Sequence, residues 1–118
     1  MNENSSELNP KICVICYPFS NPLEGRWIDM TKGESFVRSE IKELVHLKSA
    51  NGWMVIDHQD FHPVHISTFP CIETLCELAE FIKEHGEVGR EFLGANNANI
   101  DLARMDLESY QCDDGIHF

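Results

Sequence analysis

Hydrophobic and polar positions follow two different rhythms along this chain. Lys11–Tyr17 reads KICVICY, apolar on both alternating faces, as a strand buried on two sides requires. Arg26–Met30 reads RWIDM and alternates, with Trp27 and Asp29 on one side and Ile28 and Met30 on the other. Trp53–His58, WMVIDH, follows the turn signal Asn51-Gly52 and predicts a third strand. Between the second and third strands the rhythm becomes helical. Val37, Ile41, Leu44 and Val45 recur at helical spacing up to about Lys48. Thr31 and Glu34 have the spacing of a capping box, which predicts the start of this helix.

The second half is helical by the same criterion. A loop containing Pro63 is expected from His58 to Thr68, and Pro70 precedes a pattern in which Leu75, Leu78, Ala79 and Ile82 share one side. His85-Gly86 predicts the end of that helix, with the glycine in the left-handed conformation. Glu87–Leu93 predicts a short further helix, and Asn96-Asn97 a turn. Asn99 is the expected N-cap of a last helix reaching Gln111, whose apolar side runs through Ile100, Leu102, Met105, Leu107 and Tyr110. Pro18, Asn21 and Pro22 predict a loop up to Gly25. The expected class is α+β: a disordered arm over residues 1–10, an α+β domain of three strands and one helix over 11–61, and an acidic helical domain over 62–118.

Charge sharpens this picture. The chain of 118 residues has a formal net charge of −11, and the two halves share it unevenly. Residues 1–58 hold eight acids and six bases, whereas residues 59–118 hold twelve acids and three bases. Glu73, Glu77, Glu80 and Glu84 are spaced four, three and four apart, so at about 3.6 residues per turn they form one carboxylate stripe opposite the apolar side. The first helix, by contrast, carries Glu34, Glu40 and Glu43 against Arg38, Lys42 and Lys48 and is neutral. Like charges four residues apart repel by a few tenths of a kcal/mol, so the stripe weakens the isolated helix. Asp57, Asp60, Glu87, Glu91, Asp101, Asp106, Glu108, Asp113 and Asp114 extend the negative field. Such a field repels nucleic acid and anionic lipid and attracts what normally binds them. The polar start, MNENSSELNP, and the lack of any long apolar run predict a cytoplasmic protein without a targeting or membrane-spanning segment.

Candidate chemistry is sparse. Cys13 and Cys16 have zinc-knuckle spacing, but Val14 and Ile15 stand between them in place of a glycine turn, and strand positions three apart face opposite ways. Five cysteines is an odd number, and Cys13, Cys16, Cys71 and Cys76 have apolar neighbours, so buried free thiols are expected. Asp57, His58, Asp60, His62 and His65 lie close enough in sequence to suggest a divalent metal site, as in a metal-dependent hydrolase. A polar loop with surface histidines is the preferred reading, and the metal-dependent hydrolase the alternative. No nucleophile elbow, phosphate loop or dinucleotide fingerprint is present. The expectation is a protein that is not an enzyme and holds neither cofactor nor metal.

Several stretches taken together resemble a known family. GRWIDM (25–30), IKEL (41–44), VIDHQDF (55–61), LAEFIKEHGEVG (78–89) and IDLARMDLESYQC (100–112) occur in the order and spacing of the ArdA antirestriction proteins of plasmids, transposons and phages. The resemblance implies an elongated acidic protein that imitates bent B-form DNA and occupies the DNA groove of type I restriction-modification enzymes. It further implies a shortened member, without the third domain typical of the family, acting as a monomer or small homo-oligomer. The phosphate-mimicking residues expected are Asp57, Asp60, Glu73, Glu77, Glu80, Glu84, Glu87, Glu91, Asp101 and Glu108, while Trp27, Leu75, Leu78, Phe81, Ile82 and Phe92 hold the fold. A CRISPR effector complex, with its own duplex-binding channel, is a second partner for the same chemistry. Direct nucleic-acid binding is not expected.

Overall fold

The structure is a computed structural model that describes residues 8–18 and 25–116, with side chains as far as Tyr110. It contains strand β1 (Lys11–Tyr17), strand β2 (Arg26–Asp29), a single 3-10 turn (Met30–Lys32), helix α1 (Glu34–Leu47), strand β3 (Gly52–Gln59), helix α2 (Ile72–Ala95) and helix α3 (Ile100–Ile116). The strands form one antiparallel sheet in the order β2-β1-β3. This is the α+β architecture that the hydrophobic pattern predicts. The arm expected over 1–10 lies outside the described residues up to residue 7, as does the loop after Pro18 up to Gly25.

β1 is central because it alone is apolar on both faces. Ile12, Val14 and Cys16 point into the core beside Val37, Ile41 and Leu44 of α1 and Leu75, Leu78 and Ile82 of α2. Cys13 and Ile15 are buried on the other face. A register shift between Cys13 and Val14 lets Asp57 stand opposite Cys13 while Val55 stands opposite Val14, the extra residue being a β-bulge. α1 is drawn to the sheet by apolar burial and by Arg26, whose Nη1 donates to Glu43 Oε1 at 3.1 Å and to Glu40 Oε1 at 3.4 Å. The other edge is partly closed too: the backbone N–H of Val55 in β3 donates to the carbonyl of Thr68, satisfying a group that an open edge leaves unpaired.

Three local expectations are corrected. The capping box of Thr31 and Glu34 does not form. Asp29 caps one turn earlier instead, accepting from the Thr31 backbone N–H at 2.9 Å and the Thr31 hydroxyl at 2.6 Å, so α1 starts behind Gly33 without a side-chain cap. Glu34 is taken by Arg38 at 2.7 Å. Trp27 is 47 % exposed rather than a core residue, because its strand position faces away from both helices. Gly86 does break α2, but with φ 69° and ψ −152°, a region open essentially to glycine alone and distinct from the left-handed helical one. The helix resumes after it, so the two helices expected on either side are two segments joined at a kink.

The last three residues of the expected arm are packed. Leu8 and Pro10 are buried, and the carbonyl of Pro10 accepts from the Met30 N–H at 3.0 Å. One hydrophobic cluster runs from Leu8 through the sheet, α1, Phe61, Val64 and α2 to Ala103 and Leu107 of α3. The molecule is elongated, with principal extents of 61 × 31 × 22 Å. Replacing Gly86 by alanine places a side chain in a forbidden backbone conformation. It is expected to lower stability by about 1–3 kcal/mol, read as a lower urea midpoint with an unchanged slope.

Candidate acidic binding surface

The carboxylates of α2 stand out because its other face is buried. Leu75, Leu78, Ala79, Phe81 and Ile82 are all within the core, which leaves Glu73, Glu77, Glu80 and Glu84 exposed on the far side. Past the kink, Gly89 and Leu93 stay buried, so Glu87 and Glu91 remain outward on a segment of altered direction. α3 packs along α2 through Ala103 and Leu107, whereas Leu102, Met105 and Tyr110, expected on its apolar side, are exposed. This brings Asp101 beside the stripe.

The result is an open groove lined by Glu77, Glu80, Glu84 and Asp101, with Phe81, Ile100 and Arg104 between them, enclosing about 330 Å³. Four carboxylates from two helices therefore share one surface. Arg104 is the cation within it, its guanidinium 5.5 Å over the Phe81 ring and 4.0 Å from Asp101 Oδ1. Glu108 follows Asp101 by seven residues and so continues the same side of α3. Asp106 turns elsewhere, accepting from Asn96 Nδ2 at 2.9 Å. His85 lies behind the stripe, its ring 4.5 Å from that of Phe81.

Asp57 and Asp60 are not brought to this groove. Asp57 stands opposite Cys13 in the sheet, on the face away from the helices, and accepts from the His58 N–H at 2.8 Å. Asp60 is used internally. Its Oδ2 accepts from the Asn9 N–H at 2.9 Å, its Oδ1 lies 3.9 Å from Arg90 Nη1, and its side chain is 28 % exposed. The Asn9 amide, oriented with its NH2 toward Asp29, lies 3.0 Å from Asp29 Oδ1. Burial works against the Asp29 carboxylate, but the Thr31 hydroxyl and N–H, with Lys32 and Asn9, outweigh it and hold its pKa below the usual value. Asn9 thus ties the start of the chain to β3, to the turn after β2 and, through Asp60, to the second segment of α2.

The histidine-rich loop does not assemble a metal centre. Among the described residues no three His, Cys, Asp or Glu side chains are grouped so as to hold a metal ion. His58 Nδ1 is buried without a partner, its ring edge-on to Phe61 at 6.0 Å, while His62 and His65 are exposed. Pro63 instead packs on α2, where a Cβ at Gly94 would collide with its ring. Cys13 and Cys16 point to opposite sheet faces and burial raises both thiol pKa values, which disfavours the thiolates a zinc ion needs. Burial likewise pushes Cys76 up to about 11. Cys71 departs from the expectation of burial: it is exposed at the N-cap of α2, where its pKa is lowered first by the Thr74 backbone.

Two predictions follow from these placements. Asp60→Ala leaves the Asn9 N–H without its acceptor and Arg90 without its nearby carboxylate. A loss of about 1–3 kcal/mol is expected in urea denaturation, whereas Glu84→Gln should shift stability by less than about 0.5 kcal/mol. The second concerns pH. Burial lowers the His58 pKa from its ordinary 6.5, with His62 and His65 acting in the same sense against Asp57. The unfolded chain then binds this proton at a higher pH than the folded one. The contribution of neutral His58 is complete above pH 6.5 and is lost as pH falls through the folded value. Denaturation midpoints of His58→Gln measured below that pH should therefore fall less steeply than those of the wild type.

The sequence matches the family model described as Antirestriction protein (ArdA) over residues 19–114. No curated protein and no solved structure matches the chain. No helix among the described residues is long and apolar enough to cross a membrane. The match spans the strands β2 and β3, helices α1 and α2, α3 as far as residue 114 and every carboxylate of the acidic groove; the chain belongs to the ArdA antirestriction protein family.

Proposed function

We propose that the protein is a DNA-mimic inhibitor of host defence that binds, without turnover, in the DNA groove of a type I restriction-modification enzyme in the bacterial cytoplasm. The observation that carries this reading is the α2–α3 groove, where Glu77, Glu80 and Glu84 of one helix and Asp101 of another line one open surface. Glu73, Glu87, Glu91 and Glu108 extend that surface along both helices. Asp57 and Asp60 add to the field from other positions.

The acidic surface matches DNA in field and scale. One carboxylate per turn is a charge about every 5.4 Å along a helix axis, against one phosphate per about 3.4 Å along a DNA strand. The atoms do not superpose, but lysines and arginines arranged to meet a duplex meet a comparable line of charge. The long extent of 61 Å corresponds to roughly 18 base-pair steps. Each exposed ion pair contributes only about 0–1 kcal/mol, so affinity comes from many pairs acting together. It must then fall with salt, since screening lengths shrink from about 10 Å at 0.1 M to about 3 Å at 1 M.

The test is a competition. A fluorescent duplex bound to a type I modification enzyme is titrated with the protein at several salt concentrations. Displacement that weakens steeply with salt is expected, and its absence would count against the reading. Glu77→Lys combined with Glu80→Lys reverses two charges of the groove and should weaken displacement by about tenfold or more. Circular dichroism of this variant should remain that of the wild type. Equal potency of the two proteins would remove the groove from the mechanism.

A further inference from the structure

The acidic groove has a cation in its lining. Arg104 stands one turn after Asp101 on α3, its guanidinium over Phe81, and lines the same groove as Glu77, Glu80 and Glu84 of α2. Its ion pair with Asp101 is long at 4.0 Å and its side chain is 49 % exposed, so its charge reaches solvent. The other two cations of this half are placed differently. Arg90 faces Asp60, and Lys83 lies about 90° round α2 from the centre of the stripe.

We propose that Arg104 sets the affinity of the acidic face below its maximum, exchanging binding strength for a stable helix pair. The inference rests on the reading of that face as a phosphate mimic. The guanidinium lines the same groove as four carboxylates, and its charge offsets part of their mutual repulsion across α2 and α3. The same positive charge repels every lysine or arginine that a partner brings to the groove. These two effects have opposite signs, and they separate in experiment.

Removing the charge should tighten binding and loosen the fold together. For a partner cation about 8 Å from the guanidinium, in surroundings intermediate between water and protein, the repulsion amounts to roughly a threefold to tenfold difference in affinity. Screening should erase most of this as salt rises. A residue with a purely structural role predicts the reverse, because a loosened groove binds less well.

The experiment compares the wild type, Arg104→Gln, Arg104→Lys and the double variant Glu77→Gln/Glu80→Gln. Each is titrated against a fluorescent duplex held by a type I modification enzyme, and each is melted thermally. Arg104→Gln is expected to displace the duplex at about threefold to tenfold lower concentration at low salt and to melt below the wild type. Arg104→Lys keeps the charge and should displace like the wild type. Arg104→Met, which keeps an apolar stem over Phe81, takes the place of Arg104→Gln should that variant fail to fold. If the double variant is weaker than the wild type while the uncharged Arg104 variant is equal to it or weaker, the proposal is overturned and the mimic reading stands. If the wild type displaces nothing, or the double variant displaces as well as the wild type, that reading fails and takes the proposal with it.

Discussion

Helix α2 combines two opposed demands. Glu73, Glu77, Glu80 and Glu84 repel one another on one side, while Leu75, Leu78, Ala79 and Ile82 are removed from water on the other. A few tenths of a kcal/mol per like-charged pair is small beside the roughly 1.5–3 kcal/mol for burying each leucine or isoleucine. Burial therefore decides the conformation. The sheet, α1 and α3 supply the apolar surface against which this helix rests, and through it they position the carboxylates. The acidic face is in this sense a product of the core.

The same ordering explains where charge is tolerated. α1 lies against the sheet with its acids matched by Arg26 and Arg38, so it packs without accumulating charge. The single-signed stripe of α2 lies on the side where solvent screens it. Asp60 shows the exception, since a carboxylate drawn partly inward is met by a backbone N–H and a guanidinium, which offset its lost hydration.

Periodicity made the three strands, the helical second half and the carboxylate stripe legible in the sequence, because burial on one side of an element leaves a repeat of fixed period. The break at Gly86 was legible for a related reason: few residues other than glycine occupy its conformation. What escaped were contests between neighbours and contacts distant in sequence. Thr31 and Glu34 have the right spacing for a cap, yet Asp29 reaches the free N–H first. The Trp27 side chain suggests a core residue, but only the sheet order shows that its face lacks a helix. Asp60 resembles the other acids, and its partners Asn9 and Arg90 come from opposite ends of the chain. That Asp101 joins the α2 stripe depends on how α3 packs, which no repeat within either helix encodes.

The contacts of Asn9 have a consequence for the order in which the molecule matures. Its hydrogen-bond partner lies 51 residues further along, and the cation that faces this partner, Arg90, is synthesised roughly 80 residues after Asn9 itself. At ribosomal rates of about 5–20 residues per second this is an interval of about 4–16 s. During that time Asp29 and Met30 are already available to Asn9 and Pro10, but the contact of Asp60 with Arg90 is still missing. The set of contacts around Asn9 is thus completed in stages, first by Asp29, then by Asp60, and last when the second segment of α2 brings Arg90 to Asp60.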